Sequence, residues 1–424
     1  MGKMKFMIRI VSLKTPITWM KILNVEKYQP SNKLIGKYEG KICLDKYEGL
    51  HSLGSSVTSK IFEKERKDGN ERHRVKDKKE RATVEQVLDP RTRMVLFKIL
   101  NRGVISEING CISSGKEANV YHAADKESAQ YAIKIYKTSI LIFKDRDKYV
   151  SGDYKFRHGY AKHNPRKMVQ MWAEKEMSNL FKLYNAGLPV PRPVLLRLHV
   201  LVMEFLGTDT LPAPLLKDAD ISESKARELY QDLVTNMWIM YRECNLVHSD
   251  LSEFNLLYHN GKAFIIDVSQ SVTPDHPHAL EFLRKDCSNI TDFFRKKGVP
   301  TMTLRQLFDF IVDPTITASN REEHLDRLRD LAANCDPRNI SQEERMDEEL
   351  FKQVFIPKTF DQVINFERDL KQLQLGERNE EDIHYRTILG MKSDMSGAQK
   401  GGLSLPTKGA QGDSDSSGTK AARF

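Results

Sequence analysis

The chain has 424 residues, with 67 Lys and Arg against 58 Asp and Glu and a formal net charge of +9. Its length allows about two to three domains, and a hydrophobic fraction of 40% supports sizeable cores. Five scattered cysteines without CxxC spacing argue against a disulfide framework or a zinc site, and no run reaches the roughly 18 apolar residues of a membrane span. The expectation is a monomer in the cytoplasm, with shuttling to the nucleus as a further expectation and no membrane partner. The basic balance favours an acidic partner such as RNA without identifying one.

In chain order, residues 1–28 show no clear pattern and form an unassigned N-terminal extension. Residues 29–82 read as a charged linker, dense in both signs of charge from Ser59 to Arg81. N-terminal helices packing on the following domain occupy 83–103. Thr83-Val-Glu-Gln86 fits a capping box, Asp89-Pro90 restarts a helix, and Gly103 ends it. Three β-type runs follow at 104–112, 118–123 and 131–136. Residues 138–163 are polar, basic and aromatic, and read as a mobile insertion. Asn164-Pro165 opens a helix to Gly187, 199–206 reads as a strand, and Ser222 caps a long helix to Cys244. Helices are expected at 275–285, 289–297 and 304–312. The order is α+β and two-lobed: a β-rich N-lobe at 104–206, then a mostly helical C-lobe at 207–345. A C-terminal extension at 346–390 and a disordered tail at 391–424 complete it. A nucleotide pocket is expected where the lobes meet.

The densest chemistry lies in His248-Ser-Asp250-Leu-Ser-Glu-Phe-Asn255 and Ile265-Ile-Asp267. Between them Asn260-Gly261 reads as a two-residue hairpin turn flanked by apolar strands. Pairing outward from that turn brings Asn255 beside 266 and 267. Two hard oxygen ligands, Asn255 and Asp267, then converge near the free carboxylate of Asp250, as Mg-nucleotide phosphoryl transfer requires. Asp250 would take the proton of an attacking hydroxyl. His248 is expected to be structural, bonding backbone near Asp267. His276-Pro-His278 resembles a metal feature, but a helix start with Asp275 as cap explains it better.

Lys134 sits in Tyr131-Ala-Ile-Lys-Ile135, where alternation puts Ala132, Lys134 and Tyr136 on one strand face. Alone it could snorkel to solvent. Glu176 changes that reading, because Trp172 and Leu180 place it inside an apolar helix stripe, where a carboxylate needs a partner. Lys134 is that partner, with Glu174 as the competing choice, and the pair would set an ammonium on nucleotide phosphates. The turn Ser113-Ser114-Gly115-Lys116-Glu117 could cradle phosphate through backbone N–H groups and the two hydroxyls. It also reads as an ordinary hairpin turn.

Ser114-Gly-Lys-Glu-Ala-Asn-Val-Tyr121, Ala132-Ile-Lys134, the 248–255 segment and Ile265-Ile-Asp-Val-Ser-Gln270 together resemble the RIO family of atypical serine/threonine protein kinases. Phe143-Lys-Asp-Arg-Asp-Lys-Tyr149, Arg157-His-Gly-Tyr160 and His276-Pro-His-Ala-Leu-Glu-Phe282 resemble its type-1 branch. The resemblance runs from about residue 30 to 395. It implies a trimmed kinase fold without an activation loop, ATP and Mg²⁺ as cofactors, serine autophosphorylation and ATP hydrolysis. It also implies work on the pre-ribosomal small subunit, pre-rRNA and assembly factors included. By motif position Lys134 would hold ATP phosphate, Asp250 would be catalytic, and Asn255 and Asp267 would bind metal. Asp267 would also become an aspartyl-phosphate, and backbone at Glu204 and Leu206 would bind adenine. The family's acidic N-terminal stretch and basic C-terminal tail are not found in this sequence. A small-molecule phosphotransferase and an idle ribosome-binding scaffold are the competing readings.

Overall fold

A computed structural model describes residues 39–47, 89–138, 146–149, 164–208, 211–333, 342–357 and short stretches between 362 and 395. The expectations for 1–28, the capping box at 83–86, most of the linker, most of the 138–163 insertion and the tail beyond 395 fall outside those residues.

Helix α1 (Pro90–Asn101) begins where Asp89 Oδ1 accepts from the Thr92 N–H at 2.7 Å and Pro90 takes the first helical position. Strands β1 (Glu107–Ser114), β2 (Ala118–Ala124) and β3 (Gln130–Tyr136) follow, then the long helix α2 (Pro165–Asn185), capped by Asn164. Strands β4 (Pro193–Arg197) and β5 (Val200–Glu204) complete an antiparallel sheet in the order β1-β2-β3-β5-β4. The sequence reading does not identify β4, which opens on a proline, is bulged between Pro193 and Leu195, and is half-buried throughout without alternation.

Alternation along β3 sends its side chains into two different cores. Ile133 and Ile135 join Leu96, Ile99 and Leu100 of α1, which covers the outer face of the sheet. Ala132 and Tyr136 join the larger core shared with α2 and the second lobe. Thr92 Oγ1 lies 2.8 Å from His199 Nε2, docking α1 on the turn between β4 and β5.

Residues 42–47, inside the segment read as a linker, lie along the free edge of β1. Cys43 N–H donates to Ile108 O (2.8 Å), Cys111 N–H to Asp45 O (2.8 Å) and Tyr47 N–H to Cys111 O (2.9 Å). The approach is close because β1 is bulged and carries Gly110 at φ +154°, where an added Cβ would stand 2.8 Å from Asp45 O. Tyr47 is buried and stacks on His122, with ring centroids 4.2 Å apart.

After β5 come the short hairpin β6 (Gly207–Thr208) and β7 (Leu211–Pro212), helix α3 (Glu223–Arg242) and the hairpin β8 (Leu256–His259) and β9 (Lys262–Ile265). Helices α4 (Ala279–Lys296), α5 (Leu304–Val312), α6 (Arg321–Ala333), α7 (Gln342–Gln353) and α8 (Phe366–Gln374) complete the described α-helices. Ser222 caps α3 as expected. The two helices expected at 275–285 and 289–297 are one. Leu283, Asp286, Cys287 and Ile290 carry a single buried stripe through the supposed break at 286–288. The helix starts at Ala279 with His278 at its cap, so Asp275 is not the cap; two turns, His276 N–H to Thr273 O and Ala279 N–H to His276 O, precede it.

The boundary placed at 345/346 falls inside α7. That helix is fastened to the lobe by Arg295–Glu348 at 2.6 Å and by Arg284 Nη1 donating to Phe351 O at 2.7 Å. Met391 and Met395, placed in the disordered tail, are buried against Phe366, Leu370 and Leu373.

Gly110→Ala is expected to lower the unfolding free energy by about 1–3 kcal/mol, since the Cβ must displace the backbone of 45–47. Urea denaturation measures this, and faster proteolysis within residues 39–47 should accompany it.

Candidate active site

Asn260 and Gly261 both adopt left-handed conformations, φ +48° and +74°, as the two-residue hairpin requires. The register pairs His259 with Lys262 and Leu256 with Ile265. Asn255 and Ile266 therefore meet at the open end, where Ile266 N–H donates to Asn255 O at 3.1 Å. The Asn255 side-chain amide donates to Asp250 O at 2.8 Å and to Asp250 Oδ2 at 3.3 Å. With that nitrogen engaged, Oδ1 of Asn255 is the atom left to meet a cation.

Asp267 follows the hairpin at φ +59°, ψ +53°, a strained geometry for a residue with a side chain. Its Oδ1 accepts from Lys134 Nζ at 3.0 Å and from Ser269 Oγ at 3.1 Å. Lys134 Nζ also donates to Glu176 Oε1 at 2.8 Å. Glu174 instead accepts from Gln170 one turn earlier, which decides the choice between the two glutamates. Lys134 thus joins Asp267 after the hairpin to Glu176 of α2.

The charges of this trio are interdependent. Burial opposes the Lys134 ammonium, but the carboxylates of Asp267 and Glu176 overcome it and raise its pKa. Burial pushes Glu176 up to about 7, with Lys134 pulling it back and Asp267 adding to the rise. Its second oxygen has no hydrogen-bond partner among the described residues. Partial desolvation also acts to raise Asp267, but the Lys134 ammonium holds its carboxyl below the ordinary range. His248 is buried, and Nε2–H donates to Ile266 O at 3.1 Å, the structural role expected of it; burial lowers its pKa.

Two contributors escape the sequence reading. Asp286, on α4, accepts the N–H groups of Ser249 and Leu251, both at 2.8 Å, and so grips the backbone on either side of Asp250. Burial pushes this carboxyl up to about 8 against the two N–H donors, which favour its charged form. Asn179, one turn beyond Glu176 on α2, donates to Val268 O at 2.9 Å and fixes the residue after Asp267. A polar residue inside an apolar helix stripe is the signal in both, the same that identifies Glu176.

The turn after β1 stands apart from the trio. Ser113, Ser114, Gly115 and Lys116 are exposed; Ser114 Oγ donates to Asn119 Oδ1 at 3.0 Å, and Lys137 Nζ donates to Gly115 O at 2.6 Å. Among the described residues Lys116 makes no hydrogen bond or ion pair with the other site residues. At the connection between lobes, Glu204 N–H donates to Arg192 O at 2.9 Å and Leu206 O accepts from Ala213 N–H at 2.9 Å.

Residues 119–307 match the family described as RIO domain. The chain is 55% identical over 378 residues to human serine/threonine-protein kinase RIO1, covering 88% of this chain and 66% of that protein. It is 47% identical over 396 residues to Dictyostelium discoideum serine/threonine-protein kinase rio1, covering 91% and 68%. For Saccharomyces cerevisiae serine/threonine-protein kinase RIO1 it is 37% identical over 386 residues, covering 83% and 76%. The chain spans about two thirds of the length of the first of these relatives.

Replacing Lys134 by Met should destabilise the fold by about 3–5 kcal/mol, because Glu176 is left buried and uncompensated. Lys134→Met combined with Glu176→Leu should recover most of that loss. Chemical denaturation of the single and double variants measures the difference, and equal losses would mean the pair is not the cause.

Proposed function

The chain belongs to the RIO1-type branch of the RIO family of serine/threonine-protein kinases, and on that premise we propose that it uses Mg-ATP as kinase and ATPase on the maturing small ribosomal subunit. The observation that carries this reading is Lys134 joined to Glu176 and Asp267, with Asp250 and Asn255 at the adjoining hairpin end. Such an ammonium, held between two carboxylates, is set to receive α- and β-phosphate oxygens. Asp250 accepts the proton of the attacking hydroxyl as its oxygen forms a bond to the γ-phosphorus and the bond to ADP breaks.

The oxygen donors of Asn255 and Asp267 fit Mg²⁺, which takes few protein ligands and completes its shell with phosphate and water. When bound, the ion neutralises charge on the β- and γ-phosphates. The hydroxyls and backbone of Ser113, Ser114 and Gly115, with Lys116, cover the phosphates, while Glu204 O and Leu206 N–H meet adenine.

Only residues 268–278 separate Asp267 from α4, too few for a peptide-docking activation loop. That economy supports an ATPase switch over broad phosphorylation in trans. In that cycle Asp267, whose side chain is 48% exposed, takes the γ-phosphoryl group as ADP leaves, and water later cleaves the acyl phosphate. Serine autophosphorylation accompanies it. The partners are pre-rRNA with its bound proteins and assembly factors, and the protein works as a monomer in the cytoplasm with passage through the nucleus. The net charge of +9 supports an RNA-containing partner, and no helix of the described residues is long and apolar enough to cross a membrane.

Wild type should hydrolyse ATP faster when purified pre-ribosomal small subunits are added, and Asp250→Ala should lose at least about 100-fold of that turnover. Turnover unaffected by Asp250→Ala would overturn the enzymatic reading. Turnover indifferent to the particle would overturn the ribosomal one.

A further inference from the structure

The segment from His248 to Asn255 contains no lysine or arginine, and Lys134 is already bound to Glu176 and Asp267. Among the described residues, a cation reaches Asp250 from elsewhere in the chain. Lys285, on α4, places Nζ 3.5 Å from Asp250 Oδ1. The two side chains are 58% and 50% exposed, so they face the solvent side from which an acceptor must arrive. An ion pair this exposed contributes little to folding, which leaves its position without a stability rationale.

That position is not accidental to the fold. The next residue, Asp286, is 1% exposed and holds the N–H groups of Ser249 and Leu251, while Asn289 Nδ2, one turn on, donates to Leu251 O at 2.9 Å. The bonds that fix the backbone of Asp250 to α4 therefore also fix the backbone of Lys285 relative to it.

Resting on the phosphoryl-transfer reading above, we propose that Lys285 is a positioning residue of that reaction. Its ammonium orients the Asp250 carboxylate toward the acceptor and offsets the negative charge that gathers between Asp250 and the γ-phosphate. A fixed cation at that point acts without reorganisation as charge develops.

Steady-state ATP turnover and Mg-ADP binding by calorimetry, in Lys285→Met, Lys285→Arg, Asp250→Ala and the Lys285→Met/Asp250→Ala double variant, test this. Lys285→Met should lower kcat about tenfold or more while KM for ATP and the Kd of Mg-ADP stay within about threefold. Lys285→Arg should recover most of the loss, and the double variant should be no slower than Asp250→Ala alone. A wild-type kcat in Lys285→Met, an equally slow Lys285→Arg, or a full further loss in the double variant would overturn the proposal. Equal turnover by wild type and Asp250→Ala would instead remove the phosphoryl-transfer reading on which it stands.

Discussion

Lys134 is buried, and its ammonium is shared between carboxylates from the two lobes, Glu176 at 2.8 Å and Asp267 at 3.0 Å. A buried ammonium is stable only while paired, so the requirement constrains three elements at once. β3 must present Lys134 on the inner face of the sheet, α2 must turn Glu176 toward it, and the chain after β9 must bend sharply enough to return Asp267. The left-handed backbone at Asp267 is the local strain that this closure imposes. α2 meets the requirement twice, since Asn179 also holds Val268 O. The two carboxylates differ in exposure: Glu176 is sealed, while Asp267 stays open to solvent.

Legibility in the sequence followed the range of the interaction. The hairpin could be read because an Asn-Gly turn is specified by two adjacent residues, and its register then located Asn255 and Asp267. Lys134 and Glu176 could be read because a charge on an apolar face advertises its need for a partner. Asp286 advertised the same need, but its partners are backbone N–H groups of Ser249 and Leu251, 37 and 35 positions away, which carry no side-chain signature. The expected gap at 286–288 fell on it, where α4 in fact runs unbroken. β4 was missed because it neither alternates nor lies deep in the core.

α4 gives the second lobe its part in the chemistry. Its buried stripe packs Leu283, Cys287 and Ile290 into the core, and Asp286 emerges from that stripe under Asp250. Asp250 itself is half exposed and rests on a segment where Ser249 takes a positive φ of +74°. A reactive carboxylate on a short irregular segment needs such a buried anchor to keep a single orientation.

The strip at 42–47 bears on how the protein can be handled. It occupies backbone groups of β1 that would otherwise form an open sheet edge, and its Tyr47 stacks on His122, which meets Phe205 edge-on between the lobes. Shortened versions beginning after residue 47 would keep every site residue discussed above, yet expose Ile108 O and both backbone groups of Cys111 to neighbouring molecules. An unpaired edge of that kind recruits strands from other copies. In such versions solubility would fail before chemistry did.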